Sequence, residues 1–333
     1  MNQMLPRPQF WADTASQCKT RFSLVGELLT FMLLYLIAVL AQGFLLAIPM
    51  TVWIMGARSG DLMAALMAGE SPQSVVNGLM EELPDWLVLV SLFASVAMGA
   101  AAVVYCRKFQ KRDLASMGLR GKKPALEYAL GFVFGLTLFL IAAGVGAAMD
   151  GFRLLREAPT AERLVCGLLA LPGCMVQGAA LELLIRGYYT PTVGGRYPTA
   201  VALAVSTLTP ALLQSGASLF SLVSVNGMLL GLLLGVWALK RGNILSACAI
   251  RGAWLFAAGF LFDFAPAGEH SGVRLLDVDI DGFRPLLTGG DYGPQASICV
   301  TVVLLAGVML ALALKPMEPA APRPRDEQAE KYL

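Results

Sequence analysis

Histidine is almost missing from this sequence, since His270 is the only one among 333 residues. Histidine is the side chain that titrates near neutral pH and a common protein ligand of zinc. A zinc site built from several histidines is therefore excluded, and so is the metalloprotease motif H-E-x-x-H. His270 itself follows Glu269 in a glycine-containing stretch, which is typical of a solvated loop residue.

Charged residues are scarce as well: they make up 14% of the chain, against 57% hydrophobic residues. A chain of this length cannot bury so much apolar surface in a water-soluble core. The composition therefore predicts an integral membrane protein in contact with membrane lipid. The formal net charge of +2 gives no indication of a nucleic-acid partner.

The six cysteines are scattered, and no two of them form a C-x-x-C pair. Most lie in apolar runs, where cysteine behaves as a small hydrophobic residue. We expect neither a disulfide framework nor a zinc site, and no cofactor is indicated.

Apolar runs, by contrast, are abundant. A helix needs about 20 residues to cross about 30 Å of hydrocarbon. Eight runs are candidates, near residues 23–55, 86–106, 125–149, 163–185, 199–214, 221–239, 244–264 and 296–314. The expected fold is all-α, a polytopic transmembrane helix bundle of about eight spans.

Basic residues indicate the orientation of this bundle. Between the second and third runs lie Arg107, Lys108, Lys111, Arg112, Arg120, Lys122 and Lys123. Such a loop stays on the cytoplasmic side, which with eight spans places both termini in the cytoplasm of a cell-membrane protein. We divide the chain into a cytoplasmic segment 1–22, a transmembrane pair with an extracytoplasmic loop 23–106, a core 107–314 and a disordered, Pro-rich cytoplasmic tail 315–333.

The stretch GAALELLIRGYYTP places Glu182 and Arg186 one helical turn apart in the fourth run. One interpretation is an ion pair at a helix end, with the arginine snorkelling toward water. The other is a functional carboxylate that faces the interior of the bundle, because ionisable groups inside a membrane are costly and usually have a task. The residues of this stretch alone leave both open.

LELLIRGYYTP resembles the first motif of the CPBP family, the CAAX prenyl proteases and bacteriocin-processing enzymes also called the Abi family. Glu182, Arg186 and Gly187 match the family's second glutamate, its arginine and its glycine, whereas Leu181 replaces the first, catalytic glutamate. The segments RKFQKRDLASMGLRGKKPALEYALGFVFGL and NGMLLGLLLGVWALKRGNILSACAI are also similar to family segments, and LLTGGDYGPQASICVTVVLLAGV resembles the last helix of many bacterial members. The resemblance covers residues 100–315 and implies the intramembrane-protease fold.

The family's two remaining motifs each contain a histidine, and neither histidine is present here. Gln214 occupies the first of these positions, while Arg251 and Leu255 occupy the histidine and asparagine positions of the last motif. The resemblance implies that a glutamate activates water while these partners stabilise the oxyanion and move protons. Leu181 accepts no proton, an amide does not shuttle protons near neutral pH, and arginine is permanently cationic.

The leading hypothesis is therefore a pseudoprotease with the family fold. In it, Glu182, Arg186, Gln214 and Arg251 line a cavity that binds a hydrophobic or lipidated peptide or a membrane-protein partner. Two alternatives stay open. One is an active intramembrane endopeptidase that uses Glu182, and the other is a transporter or transport subunit, which would need a polar pathway across the membrane.

Arg251 lies about eight residues into the seventh run, roughly 12 Å along a helix and too deep for exposure to lipid. We expect it to face the interior and to pair with Glu182, with Arg186 completing a buried triad.

Two further patterns are interpreted as packing features. Ser206, Thr207 and Thr209 have no histidine or lysine base nearby in the sequence, so we predict that they make hydrogen bonds between helices. Gly231 and Gly235 stand at small-xxx-small spacing, which is typical of a close helix contact.

The topology is testable, because it places the loops 56–85 and 265–295 outside. In a variant without native cysteines, His270→Cys should react with a membrane-impermeant maleimide on intact cells, whereas Lys111→Cys should react only after permeabilisation. Labelling of residue 270 from the cytoplasmic side alone would contradict the predicted orientation.

Overall fold

The structure is a computed structural model. It describes residues 5–20, 22–71, 74–75, 78, 83–121, 123–149, 151–154, 159–214, 221–262, 275–276, 278–280 and 284–317. His270 and residues 318–333 of the predicted tail lie outside these ranges, as do residues 265–274, 277 and 281–283 of the predicted outer loop 265–295.

The described part of the chain is almost entirely helical. The α-helices are α1 (Gln9–Gln17), α2 (Leu24–Trp53), α3 (Ser59–Met67), α4 (Asp85–Ala94), α5 (Val96–Lys108), α6 (Pro124–Ala148), α7 (Ala161–Glu182), α8 (Thr190–Gly194), α9 (Thr199–Gln214), α10 (Leu222–Arg241), α11 (Leu245–Phe256), α12 (Pro285–Thr288) and α13 (Ile298–Ala313). The π-helical turns are Ile54–Arg58, Ala115–Leu119, Leu183–Tyr189 and Ala257–Leu261, and a 3-10 turn spans Gly290–Ala296.

Two short strands were not expected from the sequence. β1 (Phe152–Leu154) and β2 (Val278–Ile280) pair antiparallel, with Phe152 opposite Ile280 and Leu154 opposite Val278. The pair joins the chain after α6 to the segment before α12.

All eight predicted apolar runs form helices, which confirms the all-α bundle. Five helical stretches are long and apolar enough to cross a membrane: Leu24–Ala65, Asp85–Phe109, Ala115–Ala148, Ala161–Gly194 and Leu222–Arg241. The other three runs form shorter apolar helices of 10–17 residues, Thr199–Leu213, Leu245–Leu261 and Ile298–Ala313. For these three, a full membrane crossing stays a prediction.

Helix α11 packs with its backbone directly against two neighbours. A Cβ atom added to Gly131 or Gly135 of α6 would lie 2.4 Å from the Ser246 carbonyl oxygen or 2.6 Å from the Ile250 carbonyl oxygen. On α7, a Cβ at Gly178 would lie 2.5 Å from the backbone nitrogen of Gly252. Small residues allow this approach, as is usual between membrane helices. Helix α11 is therefore held between α6 and α7.

The basic linker between α5 and α6 is partly structural. Arg112 is only 2% exposed, and its guanidinium donates hydrogen bonds to the carbonyl oxygens of Ser116 at 2.9 Å and Gly187 at 3.1 Å. It also donates to Thr192 Oγ1 at 3.0 Å. Burial lowers the pKa of Arg112, and the hydrogen bonds compensate for the lost hydration of a group that stays cationic. One predicted cytoplasmic charge thus fastens the linker to the turn that follows α7.

Two further ion pairs fix the ends of helices. Glu27, in the first turn of α2, pairs with Arg196, and Glu127, in the first turn of α6, pairs with Arg241. Both glutamates are buried. Each glutamate therefore joins the start of its helix to a segment distant in the chain.

The tight contact at α11 predicts opposite effects for two substitutions on α6. Gly135→Ala should lower the free energy of unfolding by about 1–3 kcal/mol, because the methyl group would overlap the Ile250 carbonyl. Gly144→Ala should raise it by about 0.5–1 kcal/mol, because nothing lies within 4 Å of the added Cβ and alanine favours the helix. Thermal unfolding in a mild detergent measures both, and equal shifts would contradict the contact.

Candidate functional site

The helix that carries Glu182 does not end where the sequence suggested. Helix α7 continues through the π-helical turn Leu183–Tyr189 into α8, so the apolar segment reaches Gly194. Arg186 therefore lies inside the bundle, with only 3% of its side chain exposed. The interpretation as a snorkelling arginine at a helix end is wrong. Single π-helical turns within α-helices are frequent at functional sites.

Glu182 is fully buried between two arginines. Its Oε1 accepts a hydrogen bond from Nε of Arg251 at 2.6 Å, and its Oε2 lies 3.3 Å from Nε of Arg186. The exposed fractions of the Glu182 and Arg251 side chains are 0% and 13%. The predicted triad of Glu182, Arg186 and Arg251 is confirmed.

Helix packing accounts for this meeting. Gly178 and Glu182 lie one turn apart on α7 and share a face, while Gly252 directly follows Arg251 on α11. Because the backbones approach at Gly178 and Gly252, the Arg251 side chain reaches the carboxylate one turn further along α7. A larger residue at Gly178 would move the two charges apart.

The second arginine is fixed from a third helix. Nη2 of Arg186 donates to the carbonyl oxygen of Gly231 on α10, and Nη1 lies 3.4 Å from Oε1 of Glu182. A Cβ at Gly231 would come within 3.3 Å of Nη2 of Arg186. Gly231 thus leaves room for the guanidinium, whereas a Cβ at Gly235 would lie 2.7 Å from Leu203 of α9. The prediction of a close helix contact holds for Gly235.

Arg251 has unused donors. Within the described part of the chain its side chain makes one hydrogen bond, from Nε to Glu182. Its outer part lines a cavity of about 270 Å³ that also contacts Arg186. The triad holds one carboxylate and two guanidinium groups, so the wall of this cavity carries one excess positive charge.

The cavity extends from the triad toward the end of the bundle where α9 ends and α10 and α13 begin. Its wall includes the polar residues Ser206, Thr207, Ser224, Asn226 and Gln295, and the apolar residues Leu230, Trp254, Leu255 and Val300. A small cavity lined by both polar and apolar side chains suits a ligand that has both a polar and an apolar part.

The other family-motif positions are dispersed. Leu181 packs against the hydrophobic core and does not line the cavity. Leu255 lies on the cavity wall one turn after Arg251. Gln214 is the last residue of α9, and its side chain lies outside the described residues. The structure therefore brings together Glu182, Arg186, Arg251 and Leu255.

Sequence reasoning missed Asn226, which holds one end of the cavity. Its amide donates to the carbonyl oxygens of Gln295 at 2.8 Å and Ser297 at 3.0 Å, and its Oδ1 accepts from Thr301 at 2.7 Å. An asparagine in an otherwise apolar run was the available signal, because a buried amide needs partners from neighbouring segments.

Of the three α9 hydroxyls predicted to make hydrogen bonds between helices, only that of Thr209 does so. Thr209 lies within hydrogen-bond distance of the Tyr189 hydroxyl, at 3.5 Å. For Ser206 the prediction is wrong, since Oγ donates to the Leu203 carbonyl oxygen of its own helix at 3.3 Å. It is also wrong for Thr207, whose buried hydroxyl has no hydrogen-bond partner among the described residues.

Metal ligands do not gather in the described part of the chain. No group of three or more His, Cys, Asp or Glu side chains there stands close enough to hold a metal ion.

Residues 164–257 match the family model described as type II CAAX prenyl endopeptidase, Rce1-like. The matched segment is just over a quarter of the chain and runs from α7 to the end of α11, so it contains Glu182, Arg186 and Arg251. The resemblance to the CPBP family is confirmed for this segment. No significant match was found among curated proteins or among solved structures.

The helices and this match together define an integral membrane protein with a CAAX-type, endopeptidase-like core.

A double-mutant cycle tests the triad. Glu182→Gln should destabilise more than Arg251→Leu, because it leaves two arginines unpaired, whereas Arg251→Leu leaves Glu182 with Arg186. The double mutant should deviate from additivity by about 0.5–3 kcal/mol in thermal unfolding.

A matched cycle combines Glu182→Gln with Arg241→Leu, since Arg241 pairs with Glu127 instead. These two changes should add within about 0.5 kcal/mol. Additivity of Glu182→Gln with Arg251→Leu would show that the two side chains do not interact.

Proposed function

We propose that this protein is a pseudoprotease: an intramembrane-protease fold that binds its ligand without hydrolysing it. The observation that carries the proposal is the state of Glu182. Both carboxylate oxygens face guanidinium groups, at 2.6 Å from Arg251 and 3.3 Å from Arg186. A general base needs a lone pair directed at a water molecule and a pKa near the working pH. Oε1 accepts hydrogen bonds from both guanidinium groups, and Oε2 is buried without a hydrogen-bond partner among the described residues, so neither oxygen is exposed to solvent water.

The partners that hydrolysis requires are also replaced. Arg251 and Leu255 stand where the family has a histidine and an asparagine, and Leu181 packs in the core where the family has its catalytic glutamate. Arginine can stabilise an oxyanion, but it cannot accept and return a proton near neutral pH. Binding is thus favoured over turnover.

The ligand is proposed to be a hydrophobic or lipidated peptide or a segment of a membrane-protein partner. The cavity supports this because its wall combines apolar side chains with polar and cationic ones. Its walls come from four helices and the triad, which is an arrangement for holding a ligand inside the bundle.

We also propose residence in a cell membrane with both termini in the cytoplasm. The support is the density of basic residues in the linker 107–123, of which Arg107, Lys108, Lys111, Arg120 and Lys123 are exposed. Such loops are retained on the cytoplasmic side.

Peptidase assays test the absence of hydrolysis. Purified protein should not cleave a prenylated CAAX-type peptide or a transmembrane peptide, and Leu181→Glu alone should not restore cleavage, because the proton-transfer partners would still be missing. Turnover by the wild type that Glu182→Gln abolishes would overturn the proposal.

Binding is measured separately with a fluorescent farnesylated peptide in detergent. Arg251→Leu should weaken its binding, whereas Arg241→Leu, which removes the arginine partner of the buried Glu127, should not. If the two substitutions weaken binding equally, the cavity is not the binding site of the peptide.

A further inference from the structure

The triad has an unbalanced charge in a place that water reaches poorly. Glu182 neutralises one guanidinium, so Arg186 and Arg251 together retain one positive charge at the cavity wall. Uncompensated charge inside a membrane protein is costly and is normally matched by an anion. No other described carboxylate forms an ion pair with either arginine. The two other buried glutamates have their own partners, since Glu27 pairs with Arg196 and Glu127 with Arg241.

Two kinds of donor are available for such an anion. The terminal nitrogens of Arg251 make no hydrogen bond to any residue in the described ranges. Nearby, Thr207 Oγ1 is buried and likewise has no partner among the described residues. A guanidinium fork and a hydroxyl are the groups that bind carboxylate and phosphate oxygens.

A second, apolar cavity shares one lining residue, Thr207, with the polar cavity. It has a volume of about 520 Å³ and lies between α9, α10 and α13, with Leu203, Ala204, Leu229, Leu232 and Val308 in its wall. Thr207 lines both cavities. Leu208, also in the apolar wall, is 47% exposed, so this groove lies at the surface of the bundle.

Thr207 and Arg186 of the triad both lie beside Gly231. A Cβ at Gly231 would be 3.3 Å from Nη2 of Arg186 and 3.4 Å from Cγ2 of Thr207. A ligand that extends along Thr207 would therefore place one end near a guanidinium and the other in the apolar groove.

We infer that these two cavities form one binding site for an anionic amphiphile, with its oxyanion head at Arg251 and Arg186 and its hydrocarbon chain in the groove beside Thr207. The charge of the triad selects an anion, and the apolar wall of the groove selects a chain. This inference deepens the proposed function and rests on it, because it names the ligand class of the same cavity.

The test uses three probes that separate head from chain. Laurate has both, acetate has the head alone, and 1-dodecanol has a chain of the same length without charge. Added to the purified protein in an uncharged detergent, laurate should raise the unfolding temperature saturably, whereas acetate and dodecanol should not at equal concentration. An equal shift with acetate would show that the hydrocarbon chain does not contribute to binding. An equal shift with dodecanol would show that the negative charge does not contribute.

Matched variants locate the site. Arg251→Gln should weaken laurate binding about tenfold or more, because a charge-assisted hydrogen bond is lost. Arg241→Gln removes the arginine partner of another buried glutamate, Glu127, and should leave laurate affinity unchanged. If both variants bind laurate as the wild type does, the arginine site is wrong.

The groove can be tested with substitutions that leave all charged residues in place. This test still applies if Arg251→Gln does not fold. Ala204→Trp should fill the groove and weaken laurate binding. Val133→Trp, on an exposed position of α6, should not. Unchanged affinity in Ala204→Trp would overturn the groove assignment and leave the proposed function standing, whereas peptide turnover would overturn the proposed function whatever the laurate result.

Discussion

The site of this protein depends on the backbone contact that holds α11 between α6 and α7. Gly131, Gly135 and Gly178 bring three helix axes close enough for backbone atoms to touch. In a bilayer the hydrophobic effect does not press helices together, so such packing and the polar contacts between helices supply the association. The glycines act at short range, but their effect is to fix the depth and rotation of α11. Arg251 takes its position from that constraint.

Once α11 is fixed, the buried charges determine the chemistry. A glutamate between two arginines suits a membrane interior, because the carboxylate offsets one of the two guanidinium charges. The same arrangement is poorly suited to activating water. In the proposed pseudoprotease Arg251 has two effects: it stands where a proton-carrying histidine would act, and it binds the carboxylate of Glu182. The proposed binding cavity is permanently cationic, which suits binding of an anion.

Buried ion pairs recur along the described part of the chain with a common geometry. Glu27 with Arg196 and Glu127 with Arg241 tie the starts of α2 and α6 to distant segments. Arg112 ties the basic linker to the carbonyl of Gly187 just after the motif helix. These contacts fix the starts of α2 and α6 and the segment directly after Arg186. Charge is scarce in this chain, and much of it in the bundle is used to fix helix positions.

Residue types and run lengths were enough to predict the class of the protein, the location of its apolar helices and the contact between Glu182 and Arg251. Composition and the length of an apolar run are local properties, and a deeply placed arginine has few carboxylates with which it can pair. Three features became visible only in the packed helices: α7 continues past Arg186, Asn226 joins three segments, and Thr207 lines both a polar and an apolar cavity. Those features depend on the direction in which side chains face once helices pack, and apolar runs without a strong periodic pattern do not encode that direction. For the same reason the hydroxyls of α9 looked alike in the sequence, although one bonds to another helix, one to its own helix and one to none of the described residues.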